Sequence, residues 1–410
     1  MKVLLLTDIP PCKDYTGGIV LDRLCRFLPE GSIACCAVVN RKISSRLPPD
    51  LDIPIEYHKK PIEKAIRLLP GEAGESISRW LENRHEQHVL ETILPQVVEF
   101  GRRNKVDKLW CMLQGQTMVR LARPVASALG VPLYTQVWDP FGWWLRANKI
   151  DQDTSHHLLN EFDEVIRSSR ACATASWAMS EAYTSKYGVK NIPVISSLSK
   201  ESACPPATAP NESDEFVIGM AGQIYATEEW NALVRAIDKF NWRVDGKKIK
   251  FRILSRRRKF KILSRGMPSG VTHPQNAEYL GWLSQQDAIK ALSEVDMLYV
   301  PYWFSENFRE ESTLAFPSKL VTYFAAGRPV MFHGPDYASP ARYLEKNHAG
   351  LCCYSLEPDH IFEQIKLLAT NRDVYRELAH NGAAAFLRDF THERMKANFY
   401  KFIGADPTSV

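Results

Sequence analysis

Short apolar segments alternate with helical patterns along much of this chain, and that alternation limits the folds it can adopt. A short apolar run between turn signals is typical of a buried strand, whereas apolar residues three or four positions apart indicate a helix. In the first half, strands are predicted over residues 2–7, 32–39, 108–113 and 132–138, and helices over 18–28, 77–103 and 117–129. Strands joined through helices pair in parallel, so the chain is predicted to be α/β, with doubly wound sheets.

Prolines mark the places where this alternation stops. Residues 41–75 contain five prolines and are predicted to be irregular. Residues 199–213 are rich in proline and small polar residues, which favours an extended linker. A chain of 410 residues is long enough for two domains, each with its own core. The predicted organisation is a first domain over residues 1–200, a linker over 201–213, a second domain over 214–390 and a terminal helical segment over 391–410.

The composition limits the kinds of ligand and surface that this chain is expected to bind. The formal net charge of +5 suits an anionic ligand or an acidic membrane surface. Nucleic acid is not a predicted partner, because no recognisable nucleic-acid-binding module is present. No apolar run approaches the length of a membrane span, and the first residues lack a signal-peptide pattern. The nine cysteines lack metal-site spacing. We therefore expect a cytoplasmic protein without a metal site, with peripheral contact at the membrane surface left open.

Residues 316–330 carry the strongest functional signal of the sequence. They predict a helix capped by Ser318 and ended by Gly327, followed by a strand over 329–332. Lys319 falls in the first turn, where the helix dipole favours anions rather than cations. A lysine beside free backbone amides fits a phosphate that both groups bind. The alternative is an ordinary capped helix with a surface lysine.

This segment resembles the donor-site helix of retaining glycosyltransferases of the GT-B type, especially family 4. The matching positions are Pro317, Ser318, Lys319, Tyr323, Ala326, Gly327, Pro329 and Val330. Thr322 stands where family members usually carry a glutamate that binds the donor ribose. The resemblance implies two Rossmann-like domains facing a central cleft, with the nucleotide-sugar donor on the second and the acceptor on the first. It also implies retention of configuration, a final helix that crosses back to the first domain, and chemistry without a metal or cofactor.

Two loops of the first domain are candidate binding segments. Gly17 and Gly18 lie between the first strand and the first helix, where the resemblance implies a loop that faces the donor. A tight turn is the alternative for these glycines. Asp139 follows a buried strand, and its carboxylate is a candidate catalytic group beside the acceptor. The rings expected to contact an acceptor sugar are Trp138, Phe141, Trp143 and Trp144. Core packing and a membrane-surface patch are the alternatives for these rings.

The second domain supplies the other candidates. The resemblance places around the donor Gly222, Gln223, Tyr225, Arg256, Gly281, Trp282, Ser318 and Thr322. Lys319 is the candidate that stabilises negative charge on the departing phosphate. Glu311 lies in an acidic loop near the place of the family's sugar-binding carboxylate, although a solvated loop is the alternative. Glu228 and Glu229 follow the 221–225 loop, where the family commonly has basic residues.

The sequence thus predicts a retaining glycosyltransferase of the hexosyltransferase kind. It would move a sugar from a nucleotide-sugar donor to a glycan or a lipid-linked acceptor. Two alternatives remain open. One is a catalytically degraded relative that binds a sugar nucleotide or a partner, which the threonine at position 322 favours. The other is a GT-B sugar-nucleotide epimerase.

Overall fold

Two parallel sheets, one in each half of the chain, organise the residues that the structure describes. The computed structural model describes residues 1–40, 43, 46–61, 63, 72–255 and 276–405. One unit combines Met1–Val194 with the chain from Lys396 onward, and the other is Ile195–Met395. Both sheets are covered by helices, so the α/β prediction is confirmed.

The first domain is a doubly wound sheet. Its described strands are β1 (Val3–Thr7), β2 (Ile33–Val39), β3 (Ile55–Lys59), β4 (Lys108–Met112), β5 (Leu133–Val137), β6 (Ala171–Thr174) and β7 (Asn191–Pro193). They pair in parallel in the order β3-β2-β1-β4-β5-β6-β7. Its helices are α1 (Thr16–Phe27), α2 (Glu72–His88), α3 (Leu94–Arg103), α4 (Gln116–Leu129), α5 (Phe141–Ala147), α6 (Gln152–Ser168) and α7 (Trp177–Tyr187). Every residue of β1, β2 and β5 is buried, as expected for strands with helices on both faces.

The second domain repeats this architecture. Its described strands are β8 (Glu215–Ala221), β9 (Arg243–Val244), β10 (Lys247–Leu254), β11 (Ala277–Tyr279), β12 (Met297–Pro301), β13 (Val330–His333) and β14 (Leu351–Cys353). The parallel order is β11-β10-β8-β12-β13-β14, and β9 pairs antiparallel with β10. The helices are α8 (Thr227–Lys239), α9 (Gln285–Ser293), α10 (Arg309–Leu314), α11 (Lys319–Ala325), α12 (Ser339–Asn347), α13 (Pro358–Thr370), α14 (Arg372–Asp389) and α15 (His392–Ile403). Short 3-10 turns cover Lys200–Ser202 and Glu306–Phe308.

Two expectations for residues 41–103 need correction. Residues 55–59 were predicted to be irregular but form the edge strand β3, because Pro54 and Pro61 flank the strand without interrupting its pairing with β2. The single helix predicted over 77–103 contains a π-helical turn, Val89–Ile93, between α2 and α3. Pro95 follows this turn at the start of α3, and its missing N–H is consistent with a local change in the hydrogen-bond pattern.

The proline-rich segment after residue 200 belongs to the second domain instead of acting as a free spacer. The amide of Cys204 donates to the carbonyl of Ala325 at 2.7 Å, and that of Ala207 donates to the carbonyl of Gly327 at 2.9 Å. The amide of Asn211 donates to Asp296 Oδ1 at 2.6 Å. The division between the two units therefore falls between Val194 and Ile195, before the predicted linker over 201–213.

The last helix, α15, begins in the second domain and ends in the first. The Tyr400 hydroxyl donates to the carbonyl of Phe27, and the Phe399 ring lies 4.9 Å from that of Trp110. Lys108 Nζ donates to the carbonyl of Ile403 at 2.9 Å. Within the described parts of the chain, none of the helices combines the length and the apolar character that a bilayer crossing requires.

Candidate functional site

Helix α11 begins at Lys319 without a side-chain cap. Ser318 occupies the N-cap position but makes no capping hydrogen bond, so the predicted cap is wrong. Its backbone is already helical, at φ −57° and ψ −22°, whereas a capping residue needs an extended backbone to turn its oxygen toward the first amides. The helix starts through a bond from the amide of Leu320 to the carbonyl of Pro317 at 3.0 Å. The hydroxyl of Ser318 is therefore not engaged in capping.

Lys319 is half-buried beside the loop that follows β8. Its Nζ donates to the carbonyl of Gln223 at 3.3 Å and lies 4.5 Å from the centre of the Tyr225 ring. Burial lowers the pKa of Lys319 to about 8, and no charged group among the described residues offsets that effect. An ammonium group held in this way would be stabilised by an anion placed next to it.

The loop after β8 is fixed by aromatic contacts. Gly222 has a φ of +83°, which favours glycine, and its amide donates to the carbonyl of Leu254 at 2.9 Å. The Tyr225 ring lies 4.8 Å from that of Trp303, whose Nε1 donates to the carbonyl of Tyr225 at 3.2 Å. Tyr225 Oη is buried and has no hydrogen-bond partner among the described residues. Gln223 is exposed between these fixed points.

Tyr323 ties helix α11 to the carboxyl end of β8. Its Oη accepts a hydrogen bond from the amide of Ala221 at 2.8 Å and donates to the carbonyl of Tyr299 at 3.3 Å. The end of β8, the middle of β12 and the helix that carries Lys319 are thereby held in one arrangement. Tyr323, one of the positions that carry the sequence resemblance, thus has a structural role.

Thr322 has a partner that the sequence did not reveal. Gln285, the first residue of α9, donates from Nε2 to Thr322 Oγ1 at 3.2 Å. Gln285 is exposed and Thr322 is half-buried. The position that is usually a glutamate therefore presents a neutral threonine–glutamine pair, which can both donate and accept hydrogen bonds.

Two acidic residues of this domain, Glu311 and Glu229, are buried. Glu311 lies in the short helix α10, with its side chain buried, and not in a solvated loop. Glu229 is also buried, and its Oε1 accepts a hydrogen bond from the amide of Phe304 at 2.8 Å. Burial raises the pKa of Glu229. Glu229 therefore supports the loop after β12, a role that its place in the first turn of α8 did not suggest.

Two further donor-site candidates lie next to each other after β11. Gly281 has a φ of +75°, and the neighbouring Trp282 is 66% exposed. Arg256 lies outside the described residues.

Gly17 and Gly18 make close packing possible at the start of α1. A Cβ atom on Gly17 would lie 2.5 Å from the Trp138 ring, and one on Gly18 would lie 2.9 Å from the carbonyl oxygen of Pro10. This geometry supports the tight-turn interpretation of both glycines. It also places Trp138 against the first turn of α1.

The aromatic residues after β5 separate into two groups. Phe141 stacks 4.9 Å from Phe162 and 5.8 Å from Trp144, and both Phe141 and Trp144 are buried. This burial favours the core-packing alternative for the two rings, and their contact with an acceptor stays a prediction. Trp138, Asp139 and Trp143 are half-buried and remain candidates at the carboxyl end of β5.

Among the described residues, one group in the first domain has potential metal ligands close together. Atoms of Glu86, His157 and Glu161 lie within 4.8 Å of one another. The guanidinium of Arg120 lies 3.9 Å from Glu86 Oε2 and 3.9 Å from Glu161 Oε2. The arginine thus supplies a positive charge, and the group has the contacts of an ion-pair cluster.

Comparison with known proteins rests on structure. No family model and no curated protein matches the sequence. HepE of Anabaena, solved in complex with UDP and glucose, matches with a TM-score of 0.65 at 12% identity over 98% of this chain and 100% of that one. Sucrose-phosphate synthase of Thermosynechococcus elongatus matches with a TM-score of 0.66 at 11% identity over 98% of both chains. WaaG, a glycosyltransferase involved in lipopolysaccharide biosynthesis, matches with a TM-score of 0.58 at 9% identity over 98% of this chain and 100% of that one.

The chain has the GT-B fold. The resemblance of residues 316–330 predicted the GT-B fold, and that prediction is confirmed by likeness over nearly the whole chain. Because the identities are near 10%, the comparison concerns the fold, and the function of this GT-B protein must be inferred from its own residues.

Proposed function

We propose that this protein is a retaining glycosyltransferase that uses a nucleotide-sugar donor without a metal ion or cofactor. The observation that carries the proposal is the half-buried Lys319, whose ammonium group lies at the carboxyl edge of the second sheet beside the Gly222–Tyr225 loop. Ligands of α/β sheets bind at this edge. The GT-B fold and the UDP and glucose bound by HepE support a sugar nucleotide as the anion.

The proposed chemistry assigns a role to each group near Lys319. The bond between the anomeric carbon and the phosphate oxygen breaks, and a bond to the acceptor oxygen forms on the same face. The acceptor proton passes to the departing phosphate, and Lys319 stabilises the negative charge that develops there. Thr322 and Gln285 offer hydrogen bonds to the ribose, and the exposed Trp282 ring offers a stacking surface for the base.

The acceptor is proposed to be a glycan or a lipid-linked sugar bound by the first domain. Trp138 and Trp143 provide half-buried rings, and Asp139 provides a carboxylate at the end of β5. A cytoplasmic location with peripheral contact to the membrane surface fits a lipid-linked acceptor. The basic residues Arg146 and Lys149, both exposed after these rings, favour contact with anionic lipid.

A binding protein without transferase activity is the second candidate. The neutral Thr322–Gln285 pair and the burial of Glu311 favour it, because neither offers the donor an exposed carboxylate. The two candidates differ in turnover and not in donor binding.

A radiolabelled donor assay separates these candidates. Purified protein is incubated with UDP-glucose and a panel of other nucleotide sugars, and thermal shift reports binding of each donor. Sugar transfer, or slow release of free sugar by hydrolysis, supports the transferase. Donor binding with neither reaction supports the binding protein, and a changed sugar stereocentre identifies an epimerase. If no nucleotide sugar and no nucleoside diphosphate binds, the proposal is wrong.

A further inference from the structure

A buried charged cluster lies at the carboxyl edge of the first sheet, apart from the residues assigned above. Asp8 follows β1, Lys60 follows β3, and Glu63 comes three residues later. We call these three residues the switch-point cluster. Strands β1 and β4 are neighbours from which the sheet extends in opposite directions, and ligands of such sheets bind in the crevice at this switch point.

Lys60 joins the two carboxylates of the cluster. Its Nζ lies 3.1 Å from Asp8 Oδ2 and also donates to Glu63 Oε2. Glu63 Oε1 accepts a hydrogen bond from the amide of Thr117, 2.8 Å away in the first turn of α4. Burial disfavours the charge on Lys60, but Glu63 and Asp8 together hold its pKa above its usual value. Both oxygens of Glu63 are therefore occupied by protein groups.

Asp8 retains an unused acceptor. Its Oδ1 atom is buried, and no described group donates a hydrogen bond to it. Gln116 Oε1, at the start of α4, is a second buried acceptor without a donor among the described residues. Buried polar atoms in native proteins nearly always have a partner, so each of these two oxygens, one just after β1 and one in the first turn of α4, indicates a partner outside the described protein groups. Such a partner must donate a hydrogen bond, since both atoms are acceptors.

We propose that the Asp8 carboxylate binds a hydroxyl group of the acceptor sugar, with Lys60 holding the carboxylate in place. This inference deepens the proposed glycosyltransferase function and rests on it. A neutral hydroxyl fits the site better than a cation, because the Lys60 ammonium already lies 3.1 Å from the same carboxylate and would repel a second positive charge. Glu63 has no free oxygen, so Asp8 is the member of the cluster that contacts the ligand.

The walls of the crevice suit a sugar. A Cβ atom on Gly115 would lie 2.7 Å from Glu63 Oε2 and 3.0 Å from Trp144 Cζ2, so the indole edge and the cluster are close neighbours there. A ring edge beside a few convergent polar groups is typical of small-molecule sites. The side chains of Asp8 and Lys60 keep 10% and 7% exposure, so the cluster is not fully sealed from solvent.

The test compares Asp8→Asn and Asp8→Ala with the wild type. In the asparagine variant, Lys60 can only donate and therefore takes the amide oxygen, which leaves an NH₂ group facing the crevice. Asp163→Asn is the matched control in the same domain, because the Asp163 carboxylate accepts from Lys186 Nζ and Tyr187 Oη on the protein itself. The probe is a panel of methyl glycosides, whose binding is followed by saturation-transfer NMR titration and requires no turnover.

We expect at least one methyl glycoside to bind the wild type and the control equally. Its Kd should rise about tenfold or more in both Asp8 variants, because a hydrogen bond to a charged acceptor is lost. If the alanine variant does not fold, the nearly isosteric asparagine variant decides. Unchanged affinity in a folded Asp8 variant overturns the proposal and leaves a buried water as the partner of Oδ1. A wild type that binds no glycoside overturns it as well.

UDP binding on the same samples keeps the two proposals apart. UDP is expected on the second domain, so the Asp8 variants should retain the wild-type affinity for it. A wild type that fails to bind UDP or any other nucleoside diphosphate counts against the proposed function. Normal UDP binding with unaffected glycoside binding counts against the role of Asp8 alone.

Discussion

Lys319 is the residue on which the proposed chemistry most depends. Its Nζ has a backbone carbonyl and a ring face as described neighbours, so removing the side chain breaks no ion pair among the described residues. We expect Lys319→Ala to lower kcat about 100-fold or more, as loss of a group that stabilises transition-state charge does. The melting temperature should change little. A folded alanine variant with normal turnover would exclude Lys319 from the donor site.

The lowered pKa of Lys319 predicts a pH dependence. Burial places this pKa at about 8, so the ammonium group loses its proton as the pH rises through that value. We expect kcat/KM for the donor to fall above about pH 8, because this ratio reports the ionisation of the free enzyme. Lys319→Arg keeps the charge at high pH and should remove this alkaline decline, even if its absolute rate is lower. An identical decline in the arginine variant would assign it to another group.

A variant of Thr322 tests whether the donor site has lost its contact with the ribose or has replaced it with another. Thr322→Glu restores the family's usual carboxylate, and the Gln285 amide that now donates to Thr322 can donate to the longer side chain. We expect UDP to bind about tenfold more tightly, because a carboxylate accepts hydrogen bonds more strongly than a hydroxyl. Thr322→Gln is the neutral control of the same length and should bring no gain. Weaker UDP binding in the glutamate variant would mean that the Thr322–Gln285 pair is the ribose contact of a remodelled pocket.

At the scale of elements, the turn after α11 depends on a glycine. Gly327 has a φ of +68°, and a Cβ atom there would lie 2.6 Å from the carbonyl oxygen of Pro205. We expect Gly327→Ala to lower the free energy of unfolding by about 2 kcal/mol or more, since backbone strain and a backbone clash combine. Gly246 has a similar φ of +77° with nothing near its Cβ position, so Gly246→Ala should cost about 1 kcal/mol. Equal losses of unfolding free energy in the two variants, measured by denaturant titration, would show that the segment around Pro205 moves away from the added methyl group at little cost.

Helices and strands with a regular apolar pattern were predictable from the sequence, whereas contacts between residues far apart in the sequence were not. The strand over Val330–His333 and the helix before it follow from apolar spacing and from Gly327. Edge strand β3 was missed because its flanking prolines resemble those of a loop, and none of its residues is fully buried. The Gln285–Thr322 bond joins residues 37 positions apart, and no local pattern marks such a contact. The residues of the switch-point cluster were missed for the same reason.

At the scale of the whole molecule, the two domains are proposed to divide the substrates. The donor is assigned to the second sheet, where Lys319 lies, and the acceptor to the first, where the switch-point cluster and the aromatic residues after β5 lie. Both sheets offer their carboxyl edges, as α/β sheets generally do for ligands. This assignment predicts that variants of one domain change the affinity for one substrate only, which separate UDP and glycoside titrations can measure.

Membrane contact is a property that the whole protein would show. The chain carries a net charge of +5, and the half-buried Trp143 precedes the exposed residues Arg146 and Lys149. An indole that enters the headgroup region beside basic side chains favours an anionic surface.

We expect the wild type to sediment with phosphatidylserine-containing liposomes at low salt and to be released as the salt concentration rises, because salt screens this attraction. Trp143→Ala should shift most of the protein to the supernatant. Trp282→Ala, which removes an exposed tryptophan from the second domain, is the control and should not. Wild-type protein that stays in the supernatant at low salt would exclude a membrane-surface role and leave Trp143 with sugar contact alone.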